Sequence, residues 1–172
     1  MNSNRLPSSF FQYEVTDVAP RLLGKILVRK FDDGSIQKFM ITETEAYRGM
    51  EDLACHASKG RTARTEVMFR NGGVVYVYLI YGIYWMLNFV TGTEDEPTAV
   101  LIRGVEGISG PGRVGRALNL NKSFYGEDLA ISERLWIEDS TTNPAFITTP
   151  RIGIDYAGEP WVSKHWRFVV EK

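Results

Sequence analysis

Sulfur and imidazole are scarce in this chain: one cysteine, Cys55, and two histidines, His56 and His165, among 172 residues. A single cysteine excludes an intramolecular disulfide and suits a reducing compartment. One Cys and two His cannot build a standard structural zinc site. No Asp-rich spacing of the kind that holds magnesium appears, so no metal and no cofactor are expected. An excess of charge of one sign is also missing, since the formal net charge is -1. The whole chain therefore carries no general electrostatic signal for a polyanion. Long apolar runs are few. The longest, Val74 to Val90, is interrupted by Tyr76, Tyr78, Tyr81, Gly82, Tyr84 and Asn88. That composition suits paired strands rather than a membrane span. Met1 to Phe11 holds one Arg and no apolar stretch, which argues against a secretory signal.

What is present reads as one domain over residues 1–172. The expected fold is α+β, with a curved, mainly antiparallel β-sheet flanked by short helices. Asp17 is a candidate N-cap for a short helix that contains Pro20 and ends at Gly24. Lys25 to Phe31 and Ile36 to Tyr47 alternate as strands about the turn Asp32-Asp33-Gly34-Ser35. Residues 51–57 suit one or two helical turns, Gly60 to Arg64 a basic loop, and Thr65 an N-cap before Glu66 to Phe69. Strands are expected at Val74–Ile80, Tyr84–Val90, Thr98–Val105, Leu135–Glu138, Arg151–Ile154 and Arg167–Val170. A helix is expected at Arg113–Leu118, after the glycine-rich Gly107 to Gly112.

Six features carry chemistry. In the strand Ile41 to Ala46, Ile41, Glu43 and Glu45 should share one face and Thr42, Thr44 and Ala46 the other. Two carboxylates where apolar residues normally stand form either a solvated acidic face on an edge strand or part of a site. His56 follows closely and is either structural or a site residue. Tyr76 and Tyr78 share a strand face and are packing residues or flat walls for a ring, as is Tyr47. Tyr81, beside a turn glycine, is placed to protrude as a wedge. Asn88 either bonds backbone across the strands or selects ligands at the floor of an aromatic pocket. Two basic groups, Lys59, Arg61, Arg64 and Arg70, then Arg103, Arg113 and Arg116, offer local phosphate-binding faces. A carboxylate, an aromatic pocket, a wedge and basic patches together suit chemistry on a nucleobase taken out of a duplex.

Several blocks run in the same order as in a known family: Leu-Leu-Gly-Lys-Ile-Leu-Val-Arg (22–29), Glu-Thr-Glu-Ala-Tyr-Arg-Gly-Met-Glu-Asp (43–52), Ala-Cys-His (54–56), Tyr-Val-Tyr-Leu-Ile-Tyr-Gly-Ile-Tyr (76–84), Val-Leu-Ile-Arg (100–103), Gly-Pro-Gly-Arg (110–113) and Arg-Ile-Gly-Ile (151–154). In these the chain resembles the alkyladenine (3-methyladenine) DNA glycosylases of the type without a helix-hairpin-helix. The resemblance implies a DNA-repair enzyme that flips a damaged purine out of duplex DNA and hydrolyses its N-glycosidic bond. The implied lesions are 3-methyladenine, then hypoxanthine, ethenoadenine or 7-methylguanine. It implies Glu45 as general base, with Arg103 beside it. Tyr47, His56, Tyr78 and Asn88 become the base pocket, and Tyr81 the intercalating side chain. Arg61, Arg64, Tyr84 and Arg113 are expected at the DNA backbone. No nucleophilic lysine matches, which implies a monofunctional enzyme that leaves the strand intact. The implied partner is double-stranded DNA with alkylated or deaminated purines, with no obligate protein partner, no membrane, and a cytoplasmic (nucleoid) or nuclear location. Between Arg103 and Gly110 the chain is shorter than that family's usual pattern. Two other readings stay open: a non-catalytic binder of damaged DNA, and a carbohydrate hydrolase using Glu43 and Glu45.

Overall fold

The computed structural model describes residues 4–172. The fold is α+β. Its sheet has nine strands: β1 (Ile26–Lys30), β2 (Ile36–Arg48), β3 (Val75–Ile80), β4 (Tyr84–Thr91), β5 (Thr98–Val105), β6 (Ile108–Ser109), β7 (Leu135–Glu138), β8 (Phe146–Thr149) and β9 (Arg167–Val170). The main path runs β3-β4-β5-β2-β1-β7, with β6 on β5, β9 on β2 and β8 on β9, and every strand pair is antiparallel. Two α-helices, α1 (Val15–Arg21) and α2 (Pro111–Ala117), are accompanied by short 3-10 turns. Seven-residue helices are too short to persist alone. They are held by burial, α1 through Val15, Val18 and Ala19 and α2 through Val114 and Gly115. α2 lies directly on β4: a Cβ at Gly115 would stand 1.9 Å from the Trp85 carbonyl oxygen.

The long strand β2 decides the layout. Its first half pairs with β1, and its second half is flanked by β5 on one side and β9 on the other. It is therefore a central strand where the site begins, not the edge strand that a solvated acidic face would need. The pairing with β5 shifts register between Ile41 and Glu43 and again between Glu43 and Thr44. Such bulges break strict alternation. Ile41 joins the main core with Ala46, while Glu43 turns to two arginines on the other side. The expected common face for Ile41 and Glu43 is thus lost. The main core gathers Phe11, Leu22, Leu27, Ile41, Leu87, Phe89, Ile102 and Phe124 from both helical and sheet layers.

Several boundaries differ from expectation for local reasons. Asp17 lies inside the first turn of α1; the N-cap is Glu14, without a side-chain cap bond. The turns of residues 49–55 precede a 3-10 helix at His56–Lys59, later than the helix expected over 51–57. Thr65 precedes its 3-10 helix but its hydroxyl donates to the Gly60 carbonyl instead of capping. α2 starts two residues before Arg113 because Pro111 occupies its first turn, where its missing N–H is harmless. Arg151–Ile154 is not a strand: the Ile152 N–H donates to the Glu45 carboxylate, and Gly153 turns the chain at φ 76°. The strand of that region is β8, which lies between Pro144 and Pro150. The Val74 to Val90 run is the β3–β4 hairpin. Among the described residues no helix is long and apolar enough to cross a membrane.

Candidate functional site

A cavity of about 590 Å³ opens on the face of the sheet formed by β2, β3, β4 and β5. Its lining includes Tyr47, His56, Arg64, Tyr76, Tyr78, Asn88, Arg103, Ile152 and Tyr156, with Met68, Met86 and Leu101 supplying apolar area. Antiparallel pairing explains part of this convergence. Tyr76 is opposite Asn88, and Asn88 is opposite Leu101, so one row of side chains crosses three strands. Glu45 in turn is opposite Leu101, which carries the row to β2.

Glu45 is 0% exposed. It sits beneath the cavity, behind Tyr47, Arg103 and Ile152, which do line it. Its Oε1 accepts from the Tyr47 hydroxyl at 2.8 Å and from Arg103 Nη1 at 3.4 Å. Its Oε2 accepts from the Ile152 N–H at 2.7 Å. Burial raises its pKa, opposed by Arg103, the Ile152 N–H and Tyr47. Burial dominates because a desolvated charge loses more than three donors return. A carboxylate offers about four acceptor positions, so a lone pair remains for one further donor.

Glu43 is not free. Its Oε1 accepts from Arg167 Nε at 2.5 Å. Arg103 Nε lies 3.3 Å from the same oxygen, within ion-pair distance but not aligned as a hydrogen bond. Glu43 does not line the cavity, so the two accessible carboxylates of a sugar-hydrolase pair are not present there. Arg103 therefore bridges both glutamates from β5.

The aromatic wall is continuous. The His56 ring meets Tyr78 edge to face at 4.5 Å and Tyr76 at 6.1 Å, and Tyr76 and Tyr78 are 5.5 Å apart. His56 Nδ1 is 2.9 Å from the Tyr76 hydroxyl, leaving Nε2 as the ring nitrogen open to a ligand. Burial, reinforced by Arg64 and Lys59, pushes the His56 pKa down to about 4. The imidazole is neutral at physiological pH. A rotatable tyrosine hydroxyl can donate to or accept from Nδ1, so the pair can present either a donor or an acceptor at Nε2. Burial pushes the Tyr78 phenol up to about 12. Asn88 is buried: its Nδ2 donates to the Tyr76 carbonyl at 3.2 Å, the cross-strand backbone bond of its first reading, and the residue also lines the cavity.

At the cavity rim the β3–β4 hairpin turns through Tyr81 and Gly82, both at positive φ, 54° and 70°. Tyr81 is 84% exposed. A bulky residue held in the left-handed region is uncommon, and here the turn aims its ring outward. The basic residues divide. Arg64 stacks over the Tyr78 ring at 5.1 Å and belongs to the cavity wall. Arg113 borders a smaller apolar dent beside Tyr81 and Tyr84. Tyr84 is half-buried, packed on Gly112 and under Arg116. Arg61 is already engaged by Asp95 at 2.7 Å and Glu66 at 3.3 Å, and lies over Phe69. Sequence reading missed the role of the 150s segment, where the Ile152 N–H reaches Glu45 and Tyr156 lines the cavity with its hydroxyl donating to the Ala54 carbonyl. A basic residue next to a glycine-broken apolar pair, Arg-Ile-Gly-Ile, was the available signal.

Comparison with known proteins agrees over nearly the whole length. The sequence profile of a family described as "Methylpurine-DNA glycosylase" matches residues 9–110 and 106–172. The two matched segments overlap over residues 106–110, at the tight β5–β6 turn. A protein of Wolbachia sp. subsp. Brugia malayi is 45% identical, covering 99% of each chain. One from Methanocella arvoryzae is 43% identical over 95% of this chain and 90% of its own. One from Rickettsia felis is 43% identical over 96% and 92%. All three carry the name "Putative 3-methyladenine DNA glycosylase".

Proposed function

The chain belongs to the methylpurine-DNA glycosylase family, and from that premise we propose that it releases 3-methyladenine, and with it other damaged purines, from duplex DNA by base flipping and hydrolysis. The observation that carries this reading is a fully buried carboxylate, Glu45, beneath an aromatic cavity whose rim bears an exposed tyrosine in a strained turn.

In this reading the flipped purine lies between Tyr47, Tyr78 and His56, with its edge toward His56 Nε2. Tyr81 occupies the space that the base leaves. Stacking on such a platform contributes about 1–3 kcal/mol per base, of the same order as the unstacking it offsets. Glu45 holds a water with its remaining lone pair. The water oxygen bonds to the anomeric carbon as the bond from that carbon to the purine nitrogen breaks. The bond's electron pair leaves with the base, and the water proton passes to Glu45. The carboxylate also stabilises positive charge developing on the sugar. A purine alkylated at N3 or N7, as in 3-methyladenine, is cationic in the duplex and departs neutral. Its release requires no acid on the base side, which suits a histidine kept neutral. An uncharged damaged purine must take a proton from solvent as it leaves. Arg103 keeps Glu45 ionised and oriented. Among the described residues no lysine lines the cavity, which supports an abasic site in an uncut strand as the product. Asn88 disfavours guanine by crowding its exocyclic amine.

The test is base release from methylated duplex DNA without added metal, wild type beside Glu45→Gln. Release by wild type alone, with lesion binding kept by the variant, is expected; removing a general base typically costs 10²–10⁴-fold. Binding without release by both proteins would support the damage-binder reading instead.

A further inference from the structure

Glu45 is held on one side by a backbone group, and that group is itself held by an ion pair that takes no direct part in the proposed chemistry. Arg151 and Asp52 form a bidentate pair, Nη1 to Oδ2 at 2.6 Å and Nη2 to Oδ1 at 3.0 Å, with both side chains fully buried. Arg151 Nε is buried with no hydrogen-bond partner. Burying such a pair is a poor way to gain stability, because desolvation offsets the attraction. What the pair touches gives it another role.

Arg151 Nη1 also donates to the Ala46 carbonyl at 2.9 Å, on β2 between Glu45 and Tyr47. The guanidinium lies between two rings, 4.9 Å from Tyr47 and 5.0 Å from Trp166. Asp52 accepts from the Arg48 and Ala54 N–H groups at 2.9 and 3.0 Å, fixing the turns that lead to His56. The residue after Arg151 is Ile152, whose N–H holds Glu45 Oε2. Three segments of the site thus converge on one buried pair: β2, the turns before His56, and the irregular 150s segment.

We propose that Arg151 and Asp52 are positioning residues for Glu45: they hold the Ile152 N–H against Oε2, so that the carboxylate stays ionised and presents its remaining lone pair to the cavity. This rests on the reading of Glu45 as the general base. The other charged or titratable groups facing Glu45 are Arg103, itself paired with Glu43, the Arg151 cation, whose charge Arg151→Lys retains, and the hydroxyls of Tyr47, Tyr78 and Tyr156. Without the Ile152 donor these groups remain. The proton affinity of Glu45 then rises by part of what one charge-assisted hydrogen bond supplies, about ten-fold or one pH unit.

Arg151→Lys keeps the charge but cannot bridge Asp52 and the Ala46 carbonyl in one plane or stack between two rings. Two measurements are made on it and on wild type: the Glu45 carboxyl titration by NMR of protein with ¹³C-labelled glutamate, and single-turnover excision from methylated duplex DNA against pH. Affinity for a duplex with a stable abasic-site analogue is measured alongside. The expected result is a Glu45 midpoint about one unit higher. The acid limb of the rate moves with it, the plateau rate falls at least about ten-fold, and affinity stays within about three-fold. A Glu45 midpoint and acid limb at the wild-type positions overturn the proposal, whatever happens to the rate. If Arg151→Lys does not fold, Asp52→Asn takes its place. It keeps the Arg151 cation and removes an anion, which by charge alone lowers the Glu45 midpoint. A midpoint that rises therefore supports positioning, and one that stays or falls overturns it. Wild type releasing no base would defeat the glycosylase reading, whereas the NMR titration still decides whether the pair controls Glu45.

Discussion

His56 provides a pH test that needs no substrate. Its folded-state pKa is lowered to about 4 by burial and then by Arg64 and Lys59, against about 6.5 in an unfolded chain. Between those values the unfolded chain takes up a proton that the folded protein refuses. Stability therefore falls as pH falls from about 6.5 to about 4, and this loss levels off below that. At pH 4.5 the two values give a loss of about 2.5 kcal/mol, and at pH 7.5 essentially none. His56→Gln keeps a polar side chain of similar reach and removes the titration. Urea unfolding of both proteins at pH 7.5 and 4.5 isolates the effect, because the remaining acidic groups titrate in both and cancel. The variant's stability relative to wild type should improve by about 2–3 kcal/mol on going to pH 4.5. An equal stability gap at both pH values would show that His56 takes its proton normally in the fold. That would refute the reasoning that burial and the neighbouring cations hold its proton off.

Four further outcomes are expected. Tyr47→Phe removes the hydroxyl on Glu45 Oε1 while keeping the ring; the acid limb of excision should move up while lesion affinity changes less than about three-fold, one hydrogen bond to a charge being worth about 1.5–3 kcal/mol. An unmoved limb would count against that bond. Tyr81→Ala should leave the unfolding midpoint unchanged and weaken lesion capture by about 1–3 kcal/mol in a binding titration, since the ring is solvent-exposed in the free protein; unchanged affinity and single-turnover rate would sink the wedge. Asn88→Ser should raise release of normal guanine above background, measured by chromatography of free bases; background release would leave Asn88 as a strand-pairing residue only. Gly115→Ala should lower stability by about 1–3 kcal/mol in urea unfolding, because its Cβ meets the Trp85 carbonyl at 1.9 Å; an unchanged midpoint would mean that α2 moves freely on β4.

Local chemistry carried much of the reading. Alternation and turn residues located the β1–β2 and β3–β4 hairpins, and the glycine beside Tyr81 foretold a protruding ring. The site blocks named Glu45, Tyr47, His56, Tyr78 and Asn88, and these meet at one cavity or directly beneath it. What local pattern misjudged depended on partners far away in the chain. Arg61 reads as free basic charge in sequence, but Asp95, 34 residues later, engages it. Phe146–Thr149 and Arg151–Ile154 look alike as short β-prone runs. Only β9 beside one and Glu45 beside the other separate strand from irregular segment.

The amino-acid order by itself determined the hairpins, the turn that exposes Tyr81, and the set of residue types the site contains, because those follow from backbone preferences and spacing over a few residues. Only the tertiary structure decided that Glu45 is fully buried. A strand's face is solvated or enclosed according to what pairs and packs beside it. For Glu45 those neighbours are β5, β9 and Ile152, 58, 122 and 107 residues away at Arg103, Arg167 and Ile152 themselves.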